Sequence, residues 1–251
     1  MRIHKLLFTF LYKNVINYVL HRRKLSELGG FMAFFDVSCI LFDLDNTLYR
    51  ASSPLLGHIN ERINRYIADY LHVSMEEAKT MRKTGFEAYG TTMQWLCLKH
   101  GLTDTEHYLA YIHPPYAPEL IMAEEQLRET LESMDVRKFI LTNATEEHAR
   151  RITDFLGITD CFEHIFDLRF NRLVSKPDPR AYLRAVEIIG MDIREVLFAD
   201  DQPRFLPPFQ ELGGQVVLMD HLDRHAHEPF ARVSSCQELA RMLHEKSRPE
   251  K

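Results

Sequence analysis

Asp43-Leu44-Asp45-Asn46-Thr47 follows directly on an apolar run, Ser38 to Phe42. Two carboxylates one residue apart repel by roughly 1 to 4 kcal/mol at 4 Å if both are charged, in effective dielectrics of 80 to 20. A positive group belongs between them. Taken alone, Asp, Asn and Thr also suit a turn after a strand. Three further clusters carry the chemistry beyond a turn: Thr142-Asn143, Lys176-Pro177 and Asp200-Asp201. Together they supply what in-line phosphoryl transfer to an aspartate needs, namely a nucleophile, donors for phosphate oxygens, and oxygen ligands for a hard cation. No His or Cys lies within these clusters, so Mg²⁺ suits them better than zinc.

Each cluster needs an element to hold it. Short apolar runs alternate with amphipathic stretches, the pattern of an α/β fold with a parallel sheet covered by helices. Strands are predicted at Ser38 to Phe42, Arg137 to Leu141, Glu195 to Ala199 and Gln215 to Met219, with a weaker one at His164 to Phe166. The acidic, hydroxyl and amide groups then fall at carboxyl ends of strands, where open α/β sheets bind ligands. Helices are predicted at Glu146 to Leu156 and Pro179 to Ile189, closed by Gly157 and Gly190.

The 97 positions from Asp45 to Thr142 have little strand character. Ile59, Ile63, Tyr66, Ile67 and Tyr70 form one helical stripe, and Ser74 to Glu77 reads as a capping box. An inserted helical subdomain follows, ending near the His113-Pro114-Pro115-Tyr116-Ala117-Pro118 breaker. The resulting division is a basic extension over 1–31, a core over 32–49 and 125–251, and a helical cap over 50–124. Pro203, Pro207 and Pro208 are expected to spoil the helix after the fourth strand. Trp95 reads as packing within the cap. His221, His225 and His227 read as a solvated loop, and the tail from His244 as frayed.

The chain has 251 residues, 31 basic and 36 acidic, for a net charge of −5. That balance argues against a nucleic-acid binder driven by phosphate neutralisation. Four cysteines without CxxC spacing fit a reducing, cytoplasmic setting. Residues 1–30 differ, with six basic residues against Glu27. Their apolar run is too short to span a bilayer and no small-x-small cleavage site follows. Docking on a membrane surface through 1–30 and an over-extended start before Met32 are the alternatives to a loosely docked extension.

In the order Asp43-Leu44-Asp45-Asn46-Thr47, Thr142-Asn143, Lys176-Pro177, Asp200-Asp201, the sequence resembles the haloacid dehalogenase (HAD) superfamily. The resemblance spans about Ser38 to Met219 and implies a Rossmann-like core with a helical cap inserted after the first motif. It implies Asp43 as nucleophile forming an aspartyl-phosphate and Asp45 as general acid, then base. Thr142 and Asn143 would hold phosphate oxygens, and Lys176 would offset charge. Mg²⁺ would sit on Asp43, the Asp45 carbonyl and Asp201, with Asp200 acting directly or through water. An acid at position 45 points to phosphate esters or phosphomutase chemistry and away from dehalogenation.

FDLDNTLY (42–49), Tyr89-Gly90-Thr91-Thr92, LTNA (141–144) and SKPDPRAY (175–182) further resemble the pyrimidine 5′-nucleotidase branch. The expected partner is thus a small phosphorylated metabolite, a pyrimidine nucleoside monophosphate, with Tyr89 contacting it. The branch's Asp-Asp-Ser, with Asn three positions on, is replaced here by Gln202 and Phe205, so the surroundings of the cation site differ. A phosphomutase, another small-metabolite phosphatase, or a non-catalytic binding protein on the same fold are the alternatives.

Overall fold

Six strands pair as one all-parallel sheet: β1 (Cys39–Phe42), β2 (Arg137–Leu141), β3 (Ile165–Phe166), β4 (Val196–Asp200), β5 (Gln215–Met219) and β6 (Arg232–Val233). Their spatial order is β3-β2-β1-β4-β5-β6. The computed structural model describes residues 36–115 and 120–246. The extension with its membrane-docking reading, and Tyr116 to Pro118 of the proline-rich breaker, lie outside those residues.

β1, β4 and β5 are buried along their whole length, as strands covered on both faces must be. The chain leaves β1 toward β2 and β3, then returns to build β4, β5 and β6 on the other side. The crevice above the carboxyl ends of β1 and β4 is therefore the place where such a sheet receives ligands. The register pairs Phe42 with Ala199, so the residues following both strands emerge side by side.

Between β1 and β2 lie α1 (Leu55–Leu71), α2 (Met75–Tyr89), α3 (Thr92–His100) and α4 (Thr105–Ile112), which form the cap, and then α5 (Leu127–Ser133). Ile59, Ile63, Tyr66 and Ile67 are buried as the stripe predicts, while Tyr70 at its end is exposed. Ser74 and Glu77 make the reciprocal capping box. Gly85 sits inside α2 because a Cβ there would collide with the Trp95 ring of α3.

On the core side, α6 (Glu146–Leu156) and α7 (Pro179–Ile189) match their expected limits and end on left-handed Gly157 and Gly190. Tyr182, Phe198 and Phe209 meet with ring centroids 5.4 to 5.6 Å apart, and the Tyr182 hydroxyl donates to the Phe205 carbonyl at 2.8 Å. The prolines after β4 do not abolish the helix expected there. A 3₁₀ turn over Pro203–Phe205 leads into α8 (Leu206–Glu211), with Pro207 and Pro208 in its first turn, where the missing N–H groups have no intrahelical acceptor anyway.

β6 was not expected. It is two residues long and is steadied from the side by Arg232 donating to Asp220 at 2.9 Å. α9 (Cys236–Lys246) carries helix through His244, correcting the frayed reading of that stretch; residues beyond Lys246 are outside the described ones. His221 also departs from a solvated loop, since its side chain is buried with Nδ1 3.6 Å from Glu124.

Candidate active site

Asp43 leaves β1 with its N–H on the Ala199 carbonyl at 2.8 Å, which locks the start of the loop onto β4. Lys176 Nζ then bridges two carboxylates, donating to Asp43 Oδ1 at 2.6 Å and Asp200 Oδ2 at 2.7 Å. The positive group expected between Asp43 and Asp45 therefore sits between Asp43 and Asp200, and Asp45 is held by other partners. The lysine is 1% exposed, and its ammonium also lies 5.2 Å from the Phe198 ring centroid and 5.3 Å from that of Phe205. Burial opposes its charge, yet Asp200 and Asp43 override burial and raise its pKa.

Asn143 positions that lysine. Its amide donates to the Lys176 carbonyl at 3.0 Å and accepts from the Lys176 N–H at 2.8 Å. The amide expected on a phosphate oxygen is therefore engaged by main chain in this arrangement. Thr142 is buried beside it and its hydroxyl accepts from the Ala144 N–H at 3.0 Å.

The two acids of the first motif live in different environments. Burial raises Asp43 most strongly, Lys176 pulls it back, and Asp200 and Asp45 raise it further, to about 7. Its Oδ2 accepts from the Thr47 hydroxyl at 3.1 Å. Burial also acts upward on Asp45, but His148 and the Tyr49 hydroxyl win and hold it at about 2. Tyr49 donates to Oδ1 at 2.8 Å, and His148 Nε2 lies 2.9 Å from the same oxygen. An ionised carboxylate only accepts, so Nε2 carries the hydrogen. His113 lies tilted against His148 at 4.4 Å between centroids, and burial, with His148 next, depresses it to about 3.

Asp43, Asp200 and Asp201 each offer a carboxylate oxygen, all within 4.8 Å of one another. Burial pushes Asp201 well above the usual carboxylate range, and Asp200 and Asp43 add to it. Both Asp200 oxygens are occupied, one by Lys176 and one by the Gln202 N–H at 2.8 Å. Asp201 Oδ2 accepts from Gln202 Nε2 at 2.8 Å and Asn46 Nδ2 at 3.4 Å. Gln202, in the place of the expected serine, thus braces both acids. Three carboxylates around a single lysine leave an excess of negative charge on hard oxygen donors, which fits a metal ion.

A cavity of about 360 Å³ opens over this cluster, reaching Asp43, Asp45, Thr142, Asn143, Lys176 and Asp201 on the core side. Its cap wall includes Ile59, Ile63, Phe86, Tyr108 and Arg82. The structure therefore brings the residues of the four sequence clusters to one cavity, with Asp200 directly behind. Tyr89 is half-buried at the end of α2 and does not line it. Its neighbour Gly90, at φ +87°, instead lets the cap approach Pro177, whose Cδ would stand 3.2 Å from a Cβ there. Sequence reasoning missed His148, Tyr49 and Arg82. Tyr49 follows Asp45 by four positions, a spacing that hinted at contact; His148 gave no signal apart from its place in α6.

The sequence profile of haloacid dehalogenase-like hydrolases matches residues 37–213. The chain is a member of that hydrolase family. It is 25% identical over 174 residues to phosphate metabolism protein 8 of Saccharomyces cerevisiae, an alignment covering 64% of this chain and 54% of that protein. The chain thus spans about half the length of that relative. Among solved structures it shares the fold of a HAD phosphatase from Thermococcus onnurineus, with TM-score 0.58 and 18% identity over 82% of this chain and 98% of the other. It also shares the fold of L-2-haloacid dehalogenase from Xanthobacter autotrophicus, with TM-score 0.53 and 16% identity over 83% and 98% of the two chains.

Proposed function

We propose that the chain is a Mg²⁺-dependent phosphomonoesterase working through an aspartyl-phosphate. The observation that carries this reading is Lys176 bridging Asp43 and Asp200 beside Asp201, with Asp45 at the same cavity. Asp43, Asp201 and the Asp45 main-chain carbonyl would hold the ion. Bound there, Mg²⁺ supplies charge that lets an anionic phosphate approach a carboxylate.

The chain's own residues do the rest. Lys176 fixes Asp43 through Oδ1 and leaves Oδ2, with only the Thr47 hydroxyl on it, as the attacking atom. Oδ2 bonds to phosphorus as the ester P–O bond breaks, and the departing oxygen takes a proton from Asp45. Asp45 is ionised in the free protein, so that proton arrives with the substrate: a phosphate monoanion carries it, and a dianion beside Asp45 raises the carboxylate's affinity for one. Water then attacks phosphorus, gives its proton to Asp45 and releases Asp43 and inorganic phosphate. His148 and Tyr49 hold Asp45 by Oδ1, which leaves Oδ2 for both transfers.

The acid at position 45 favours ester hydrolysis over dehalogenation, whatever the shared fold. A cavity of about 360 Å³ suits a small leaving group, and the FDLDNTLY and SKPDPRAY segments favour a pyrimidine nucleoside 5′-monophosphate. The setting consistent with four free cysteines is the cytoplasm. The test is phosphate release from a phosphomonoester panel that includes UMP and CMP, with and without Mg²⁺. Metal-dependent release is expected from the wild type and none from Asp43→Asn. Wild-type turnover in Asp43→Asn would end the covalent mechanism.

A further inference from the structure

Arg82 is the cation that the reaction above does not use. It projects from the middle of α2 into the same cavity as the acidic cluster, but from the cap wall. Nε donates to Thr92 Oγ1 at 3.4 Å, and one terminal nitrogen donates to the Asn60 carbonyl and Asn64 Oδ1, each at 3.2 Å. The other terminal nitrogen donates to Asn60 Oδ1. All of these acceptors are neutral. Among the described residues no carboxylate lies within ion-pair reach of Arg82, and the one titratable side chain that acts on its charge is Tyr108. Burial weakens its hold on the proton. A guanidinium desolvated among apolar groups without a counter-ion is unfavourable unless a ligand completes it.

The neutral shell also aims the group. Asn60 and Asn64 of α1 and Thr92 of α3 occupy four of its five N–H bonds, which pins the guanidinium plane and leaves one terminal N–H without an acceptor among the described residues, on a side chain that lines the cavity. Ile59, Ile63 and Phe86 stand in the same cavity wall, and apolar neighbours of this kind strengthen a charge-assisted bond formed beside them. The cavity therefore has two poles. One, at the strand ends, takes the reacting phosphate. The other is a fixed cation in the cap with no anion of its own.

Resting on the phosphatase reading, the geometry points to a phosphomonoester whose leaving group carries an anionic group of its own, a carboxylate or a second phosphoryl, received by Arg82. Such a ligand is recognised at both ends, and the cap closes best on a substrate that supplies the missing counter-ion. Arg82 is then the residue that sets specificity, with no part in bond making or breaking.

The experiment uses the full chain carrying Asp43→Asn, with and without Arg82→Gln or Arg82→Lys, and reads ligand affinity by titration calorimetry. Two matched series serve as probes. One is UMP, orotidine 5′-monophosphate and uridine 3′,5′-bisphosphate. The other is glycerol 3-phosphate, 3-phosphoglycerate and 2,3-bisphosphoglycerate. In at least one series the doubly anionic ligand should bind about 10-fold or more tighter than its neutral counterpart, as a desolvated charge-assisted bond allows. Arg82→Gln should remove that advantage, and Arg82→Lys should retain part of it, which keeps the test valid if the glutamine variant does not fold. Within each series, the carboxylate and the second phosphoryl show which anion is preferred.

Equal affinities throughout both series would overturn the proposal. So would an equal loss for every ligand in Arg82→Gln, which would place the guanidinium on the reacting phosphate or in packing alone. Absence of binding by all six would overturn it as well. Wild-type phosphate release from the same ligands, measured in parallel, separates the two readings. Selective binding without release would sink the phosphatase and leave the subsite standing; release without selectivity would do the reverse.

Discussion

The two walls of the cavity treat charge in opposite ways. At the strand ends, Asp43, Asp200 and Asp201 crowd around one lysine, and each shifts its proton affinity in response to its neighbours. On the cap side, Arg82 stands among amides, a hydroxyl and hydrocarbon. The strand-end wall is internally coupled and stands ready before any ligand arrives; the cap wall is a rigid receptor with one unmet demand. Damage to the first should therefore remove chemistry, and damage to the second should change what is accepted or how the cap holds together.

Lys176→Met gives the largest expected effect. It leaves Asp43 and Asp200 buried without their shared cation, and breaking such a pair costs on the order of 3–5 kcal/mol. Chemical unfolding should show that loss, and turnover should fall by about 10³-fold or more, the scale seen when a preorganised electrostatic partner is removed. If turnover falls while stability is unchanged, the wall is less tightly coupled than its distances indicate.

The next effect lies where the walls meet, at His113. Its folded pKa of about 3 is below its ordinary 6.5. The unfolded chain therefore takes up a proton that the native state refuses. This contribution is intact above pH 6.5 and is lost as pH falls toward 3, at about 1.4 kcal/mol per pH unit. His113→Phe should flatten the acid limb of a stability-against-pH curve by a few kcal/mol; an unchanged slope would assign that limb to other groups.

Gly85→Ala is the smallest of the three and belongs to the cap alone. A methyl group pressed into the Trp95 ring should cost roughly 1–3 kcal/mol. Calorimetric unfolding should show the loss, and KM should rise more than kcat falls. An equal fall in kcat would mean that cap packing governs the chemical step.

The difference between the walls also explains what could be read from the chain in advance. Asp43, Thr142 and Asp200 sit where an apolar run stops, so locating a strand locates the group. The limits of α6 and α7 were visible because glycine ends both. Arg82 and His148 lie inside amphipathic helices, where a charged or polar residue usually faces water and gives no sign of pointing inward. The bonds of the Asn143 amide to the Lys176 main chain join residues 33 apart, a proximity that leaves no trace in a linear pattern. Pro207 and Pro208 are tolerated because their missing N–H groups fall in the first turn of α8, a placement that depends on where the helix starts. β6 is too short to carry a pattern.

Asp200 and Asp201 are the same amino acid in adjacent positions, yet one serves Lys176 and the other faces the cation site. Asp200, the last residue of β4, is fully buried and gives its oxygens to Lys176 and the Gln202 N–H, whereas Asp201, the first residue beyond the strand, lines the cavity. Deleting a single residue from β4 would carry Asp201 into the counter-ion position and leave Gln202, an amide, where the cavity-facing acid stands. One carboxylate of the pair is spent inside the protein so that its neighbour can be left to the ligand.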